Sequence, residues 1–592
     1  MINDRIEKLR KLMKEKNIFA YIIPSADYHQ SEYVGEFFKS REYISGFTGS
    51  AGTVVVTLDK AILWTDGRYF LQAEQELQGT CVELYKMGVE GVPTTFEYIE
   101  NQVPEGSKIA FDGRVISATD GCALEKSLAK KNITISYEYD LLDEMWENRP
   151  VLSDKKAFLL DVKYTGEDFT SKISRVREVM KENNATTHIL TSLDDIAWLF
   201  NIRGRDIKYN PVVLSYAVIT LDKAILFVDE NKLNNEIKES FGQEGVEIRG
   251  YFEIDEFVKS INKEETVLID ENKISYSILK NIPEGVKLVN EMNPSTIFKS
   301  QKNSVEIENT KQAHIRDGVA VTKFMYWLKN NIGKIEITEI SAAEKMTELR
   351  REQGEFIEES FSSIAGYGAN GAIVHYSATK ESNTILEPKG LFLLDSGGQY
   401  FDGTTDITRT FALGQLTEEE KFHFTTVTRA MIRLSSVKFL HGVGGNYLDI
   451  LARGILWNEG LNYNHGTGHG VGHVLNVHEG PNGFRMDNKS SYKLEEGMIT
   501  TNEPGFYKAG SHGIRLENEM LCVKGIKNEY GQFMELEPLT IVPLDLDAID
   551  VNLMKDDEKE YLNKYHKMVF DTVSPFLTDE EVEWLKEYTK SI

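Results

Sequence analysis

Thr57-Leu-Asp-Lys-Ala-Ile-Leu63 recurs letter for letter as Thr220-Leu-Asp-Lys-Ala-Ile-Leu226, and this repeat decides the architecture of the first half of the chain. So long an identity does not arise by chance, and its surroundings agree. Ser25-Ala-Asp-Tyr28 and Ser192-Leu-Asp-Asp195 each follow an apolar, strand-like run, and Phe111-Asp-Gly-Arg-Val-Ile-Ser117 parallels Ile269-Asp-Glu-Asn-Lys-Ile-Ser275. Two similar domains are the simplest reading. In each, β-branched runs such as Thr53 to Thr57 and Val212 to Ile219 alternate with charged amphipathic stretches, the texture of strands wound with helices. The chain therefore reads as a multidomain α/β protein.

Proline punctuates the ends of the two units, at Arg149-Pro150 and Asn293-Pro294, which places domains at 1–150 and 151–300. Helical periodicity over Glu306 to Leu328 and Thr338 to Gln353 then leads into a glycine-rich, strand-rich region to about Lys524, giving a third domain at 301–526. The remainder, 527–592, ends in a helical pattern from Asp579 to Tyr588 and is expected to pack on the third domain, with a second subunit as the other partner open to that helix and Trp584. At 592 residues the chain needs several cores.

Composition narrows the function. Apolar residues at 41% and aromatics at 10% suit a folded enzyme. The 93 acidic against 67 basic residues leave a net charge of −26, which repels nucleic acid and anionic membranes and sets both aside as partners. Cys81, Cys122 and Cys522 are too few and too scattered for a disulfide framework, which suggests a reducing compartment. Met1 to Asn17 carries Ile6, Leu9, Leu12 and Met13 among charges, an amphipathic helix without the apolar core of a signal peptide. Cytoplasm is the expected address.

The chemistry lies in the third domain. Leu391-Phe-Leu-Leu-Asp395-Ser-Gly-Gly-Gln-Tyr-Phe-Asp-Gly-Thr-Thr-Asp406-Ile-Thr-Arg-Thr410 places an apolar strand before Gly-Gly and an alternating strand after it. That predicts a hairpin in which Asp395 faces Asp406, a pairing that repels unless a cation lies between them. Two solvated loop aspartates are the alternative. In Asn464-His465-Gly-Thr-Gly-His469-Gly-Val-Gly-His473 the histidines recur every four residues, but the glycines argue against a helix. A loop closely approached by other backbone is expected, with His469 as the ligand candidate and His473 as a hydrogen-bonded structural residue.

Glu503, in Ile499-Thr-Thr-Asn-Glu503-Pro-Gly-Phe-Tyr507, and Glu517, in Gly513-Ile-Arg515-Leu-Glu517-Asn-Glu519-Met-Leu521, complete the set. Strand alternation over the second run puts Arg515, Glu517 and Glu519 on one face; a merely solvated strand face is the competing reading. Four carboxylates and one neutral imidazole balance two divalent cations. Such a donor set suits manganese, cobalt or zinc better than copper and does not choose among the three; manganese is the expected ion, and two ions acidify a shared water into a hydroxide nucleophile while polarising a carbonyl.

At these residues the chain resembles the pita-bread metallopeptidases, a family that takes in methionine aminopeptidases, prolidases, creatinases and aminopeptidase P. It is most similar to the long, three-domain cytosolic form of aminopeptidase P, the Xaa-Pro aminopeptidases. The likeness spans nearly the whole chain, through Ile22-Ile-Pro-Ser25, Trp64-Thr-Asp-Gly-Arg-Tyr-Phe70, Asp195-Ile-Ala-Trp-Leu-Phe-Asn201, Ala313-His-Ile-Arg-Asp317 and Glu537-Pro-Leu-Thr540. It implies two creatinase-like α/β domains ahead of a pita-bread α+β catalytic domain, and a homodimer built through the latter.

The resemblance also implies metal ligands at Asp395, Asp406, His469, Glu503 and Glu517, with Glu503 doubling as general base. His375, in Gly371-Ala-Ile-Val-His375-Tyr376, and His478, in Asn476-Val-His478-Glu-Gly-Pro481, would bind substrate and move protons. His465, Arg68 and Arg515 would line or bind substrate. The implied reaction removes the first residue of peptides with proline second. Prolidase activity on Xaa-Pro dipeptides, metal-free creatinase chemistry and an inactive binding module, such as a histone-chaperone domain, are the alternatives.

Overall fold

The computed structural model describes residues 1–486 and 492–592. They divide into two compact units, Met1–Asp161 with Glu167–Ser295, and Val162–Gly166 with Thr296–Ile592.

The first unit contains two six-stranded sheets of the same topology. One runs Val82–Lys86, Ala61–Thr65, Thr53–Thr57, Ala20–Pro24, Lys108–Phe111, Thr134–Ser136; the other runs Val246–Arg249, Ala224–Val228, Ser215–Thr220, Thr187–Leu190, Thr266–Ile269, Lys287–Asn290. In each, the fourth strand pairs antiparallel with the third and parallel with the fifth. The repeated heptad forms the same turn twice. Thr57 Oγ1 donates to Asp59 at 2.7 Å and accepts from the Lys60 amide at 2.9 Å, and Thr220 does the same with Asp222 at 2.8 Å and Lys223 at 2.9 Å. A threonine that closes its own turn fixes the hairpin register locally.

Both faces of the first sheet are covered, so its strands read as continuous apolar runs. Tyr21, Ile23, Val54 and Val56 pack on one side with Ile6, Leu9 and Met13 of the helix Ile2–Glu15, while Ile22, Val55, Ile62 and Trp64 pack on the other with Ile99 and Phe111. The strand expected over Val212 to Ile219 begins later, at Ser215. The Val212 and Leu214 amides are instead taken by the Asn210 carbonyl and the Asp206 carboxylate.

The second unit is built on a six-stranded sheet, Lys438–Leu440, Gly531–Pro538, Asn518–Asn528, Ile499–Asn502, Gly468–Gly470, Glu479–Phe484. Smaller sheets accompany it, among them Ile364–Tyr367, Leu391–Ser396, Ile407–Ala412 and the two-stranded Gly505–Lys508 with His512–Arg515. The strand Asn518–Asn528 runs past residue 527, and its hairpin partner Gly531–Pro538 belongs to the same sheet. The helix Ser304–Asn331, opened by an Asn303–Glu306 capping box, and the helix Glu339–Arg351 bury Phe324, Met325, Leu328 and Met346 against Phe392 and Leu394. Since Phe392 and Leu394 face those helices, strand alternation turns Leu393 and Asp395 to the opposite side.

The last two helices, Asp556–Val573 and Asp579–Tyr588, seat Leu562, Tyr565, Val569 and Leu585 in one core with Phe424, Val427 and Met431. Trp584 meets Tyr326 edge to face with ring centroids 5.5 Å apart. Among the described residues no helix is long and apolar enough to cross a membrane.

Candidate metal centre

The hairpin expected around Asp395 exists, with a more elaborate tip. Leu391–Ser396 pairs antiparallel with Ile407–Ala412, matching Asp395 with Thr408 and Ser396 with Ile407, so Asp406 sits one step beyond the last pair. Gly397 and Gly398 do not close a tight turn. The intervening residues form the short strands Gly398–Tyr400 and Gly403–Thr404 of another sheet.

His469 lies in a short strand, Gly468–Gly470, where a loop was expected. The inference of close backbone approach was the correct part: a Cβ on Gly468 would stand 1.8 Å from the Thr501 carbonyl oxygen. This contact brings Gly468–Gly470 against Ile499–Asn502, the strand before Glu503, whose amide donates to the Thr467 carbonyl at 2.8 Å. The His469 amide donates to Thr501 Oγ1 at 3.1 Å, and its Nδ1 lies 3.0 Å from the Gly470 carbonyl. An imidazole nitrogen at a carbonyl must carry the proton, which leaves the Nε2 lone pair for a ligand. That nitrogen is 3.4 Å from Asp406 Oδ2 and 3.5 Å from Glu503 Oε1.

The run from Gly513 to Leu521 is not one strand. His512–Arg515 pairs with Gly505–Lys508, and Asn518–Asn528 pairs with Ile499–Asn502, with a break at Leu516 and Glu517. The face of Arg515, Glu517 and Glu519 is not solvated either, because all three are buried. Glu517 accepts from Thr408 Oγ1 at 2.7 Å and donates its amide to the Thr408 carbonyl at 3.1 Å, which ties it to the residue paired with Asp395.

Asp395, Asp406, His469, Glu503 and Glu517 thus come together, in overlapping groups whose ligand atoms lie within 4.8 Å of one another; His478 joins Asp406 and His469 in one of them. Burial, reinforced by Glu517, Asp395 and Glu503, holds the Asp406 carboxyl well above the usual carboxylate range. Burial and then Glu503 and Asp395 do the same to Glu517. Burial takes Glu503 up to about 7, with Arg515 opposing and Asp395 adding. Without cations these groups resist ionising together. Asp395 Oδ1 and Glu517 Oε1 are buried with no hydrogen-bond partner. Orphaned carboxylate oxygens inside an oxygen-rich cluster with one imidazole are what a pair of divalent cations requires, so the residues fit such a pair.

The remaining candidates are placed as follows. His465 Nε2 lies 2.9 Å from the Tyr507 hydroxyl and its Nδ1 3.9 Å from Glu503 Oε2. Arg515 does not present its guanidinium to an open cleft: it is buried and donates to Asp395 Oδ2 at 2.6 Å, Tyr507 at 2.8 Å and Thr408 at 3.3 Å. His478 stacks edge-on against His469 at 4.3 Å. His375 is half-buried in the loop after the turn Gly368–Ala372, whose Gly371 carbonyl would stand 1.7 Å from a Cβ on Gly513. His473 lies 3.2 Å from Thr310 Oγ1 and 3.0 Å from the Tyr164 carbonyl, a hydrogen-bonded structural residue. Arg68 belongs to the first unit, where Asp66 grips it with two bonds of 2.8 Å. Tyr507, which links His465 to Arg515, escaped sequence reasoning because it follows Glu503 across a Pro-Gly step with no periodic signal.

Comparison with known proteins agrees with this arrangement. Models of the creatinase/prolidase N-terminal domain match residues 5–144 and 148–306, that of metallopeptidase family M24 matches 308–524, and that of the C-terminal region of peptidase M24 matches 532–592. The chain is 40% identical over 617 residues to a probable Xaa-Pro aminopeptidase P of Coprinopsis cinerea, covering 99% of this chain and 98% of that one. The crystal structure of X-prolyl aminopeptidase from Caenorhabditis elegans, described as a cytosolic enzyme with a di-nuclear active site, matches at a TM-score of 0.96. It has 34% identity and covers 100% of both chains. A Xaa-Pro dipeptidase from Bacillus anthracis, at 24% identity and a TM-score of 0.51, covers 64% of this chain and 99% of its own, a likeness of fold alone.

Proposed function

Since the chain belongs to metallopeptidase family M24, with two creatinase/prolidase N-terminal domains ahead of its pita-bread domain, we propose that it acts as an Xaa-Pro aminopeptidase, releasing the first residue of peptides whose second residue is proline. The observation that carries this reading is the convergence of Asp395, Asp406, His469, Glu503 and Glu517 on one site. These five would hold two divalent ions, manganese by preference, which when bound supply an acidified water and polarise the scissile carbonyl. The full-length likeness to Xaa-Pro aminopeptidases, set against partial coverage by the dipeptidase structure, favours peptides over dipeptides as substrates.

Each side chain has a share in the chemistry. Glu503 takes the proton of the attacking water, as a carboxylate placed among the ligands can. His478, beside His469, and His375 stabilise the developing oxyanion and deliver a proton to the proline nitrogen as it leaves. His465, braced by Tyr507, lines the site, and Arg68 binds substrate. Arg515 acts through Asp395, whose orientation it fixes. Proline has no amide hydrogen and a fixed φ, so a site for this bond must recognise shape where other peptidases use that donor.

A cytoplasmic homodimer is the form we infer. The three cysteines are unpaired, and the matching nematode protein is described as cytosolic. On the helix Gly445–Asn458, Tyr447, Ile450 and Trp457 expose a helical stripe of apolar surface, which suits a second copy of the catalytic domain.

The deciding test is release of arginine from Arg-Pro-Pro and from Arg-Pro by metal-stripped protein, with and without Mn²⁺. Metal-dependent turnover of the tripeptide is expected. Turnover of the dipeptide alone would make it a prolidase, and inactivity on both with metal present would refute the enzymatic reading.

A further inference from the structure

The run Ala313-His-Ile-Arg-Asp317, in the middle of the helix Ser304–Asn331, supplies none of the five ligands. Its polar side chains nevertheless all end on the segment joining Asp395 to Asp406, or on the group that holds it. Asp317 accepts from Thr405 Oγ1 and pairs with Arg350 at 2.7 Å, and Arg350 in turn donates to the Ser396 carbonyl at 3.0 Å. Arg316 donates to Asp402 at 3.0 Å. Ser396 and Thr405 are the chain neighbours of Asp395 and Asp406, so these bonds fix the main chain at both ligands.

His314 reaches the same place through an intermediary. It is fully buried, with Nε2 3.1 Å from Glu519 Oε2, while Glu519 Oε1 accepts the Asp406 amide at 2.7 Å. Glu519 is also fully buried, two residues beyond Glu517 on the strand Asn518–Asn528. An amide side chain would accept the same N–H bond without charge. A further buried carboxylate beside four others carries a desolvation cost and adds repulsion. Its negative charge becomes an advantage only when cations occupy the cluster, and its second oxygen, 3.1 Å from His314 Nε2, is in contact with that ring without hydrogen-bond geometry, so that both atoms are buried and unbonded.

We propose that His314 and Glu519 are positioning residues of the metal centre: Glu519 fixes the Asp406 main chain and deepens the negative potential, His314 packs against its second oxygen, and the pair sets the affinity for the cation held by Asp406. The inference rests on the reading that the five ligands bind two divalent ions. Partners of this kind, one step behind the ligands, change metal affinity by roughly 10–100-fold when removed.

The test is calorimetric titration of the metal-stripped full chain with Mn²⁺, bound metal being counted by atomic emission and the melting temperature of the stripped protein recorded in parallel. Wild type is expected to take up two ions. Glu519→Gln, which keeps the volume and the acceptor for Asp406, is expected to lose about 10–100-fold in affinity for at least one ion, with the stripped protein melting no lower than wild type. His314→Phe should shift affinity in the same direction. Wild-type affinities in both variants, or weaker binding that merely accompanies a lower melting temperature, overturn the proposal. Should Glu519→Gln not fold, His314→Phe decides alone, unchanged affinity again overturning it. Absence of Mn²⁺ uptake by wild type defeats the two-metal reading, and this inference with it.

Discussion

Replacing Gly468 by alanine tests how tightly the ligands are held by backbone alone. The new Cβ would lie 1.8 Å from the Thr501 carbonyl oxygen, whereas Cβ atoms essentially never come within 3.0 Å of such a neighbour, so the strands Gly468–Gly470 and Ile499–Asn502 must part by about 1.2 Å. His469 lies within the first of these strands and Glu503 directly follows the second, with His469 Nε2 and Glu503 Oε1 now 3.5 Å apart. Metal–ligand distances tolerate about 0.2 Å, and a displacement near 1 Å costs roughly 100-fold in rate. Gly468→Ala is therefore expected to lose at least one Mn²⁺ per chain by atomic emission and about 100-fold or more in kcat/KM on Arg-Pro-Pro. Gly242→Ala is the control: a Cβ there meets nothing within 4 Å on the helix Asn235–Gln243 of the first unit, and alanine is the better helix former. If Gly468→Ala kept two ions and wild-type kcat/KM, the inferred dependence of the site on that strand contact would be wrong.

Glu503→Gln should lower kcat by about 100-fold or more; a folded, metal-loaded variant turning over near the wild-type rate removes Glu503 from the proton transfer. Arg515→Met leaves Asp395 without its buried cation, and breaking such a pair costs about 3–5 kcal/mol. The melting temperature should fall further in stripped protein than in Mn²⁺-loaded protein, where the ions take over the compensation, and equal falls would contradict that account. The carboxyls of Asp406, Glu503 and Glu517 are raised in the metal-free fold, Glu503 to about 7. The stability they contribute is full below the unfolded carboxyl range near 4 and is lost as pH rises through their folded values. Stripped protein should thus melt higher at pH 5 than at pH 7.5 as far as this site is concerned, with Mn²⁺ flattening the profile and releasing protons on binding, measurable by calorimetry in buffers of different ionisation enthalpy. Ile450→Arg on the exposed stripe should shift sedimentation from dimer to monomer; an unchanged dimer places the interface elsewhere.

Much of this architecture could be read from letters alone. The repeated heptad revealed twin sheets because its threonine makes a turn that needs no distant partner, and the five candidate ligands that the fold brings together could be picked out as a set, although each carboxylate alone also read as a solvated loop or strand residue. What stayed hidden depends on contacts remote in sequence. Nothing near Arg515 announces Asp395 as its partner, and nothing near His314 announces Glu519. The strand reading of Gly513 to Leu521 failed because the break at Leu516 and Glu517 is imposed by Thr408, and a solvated face was considered because burial depends on what packs above it.

The guanidinium of Arg409 reaches in two directions at once. It donates to the Thr408 carbonyl at 2.9 Å, to the Glu517 carbonyl at 2.6 Å and to Asn518, and on its other side to the carbonyls of Val542 and Pro543 and to Tyr565. A recombinant fragment ended at the boundary of the M24 match would strip this arginine of half its acceptors while leaving it enclosed beside a ligand. Anyone trimming the chain for crystallisation or fusion should therefore keep both of the last two helices, since Tyr565 on the first and the buried Leu585 on the second share one core with Phe424 and Met431.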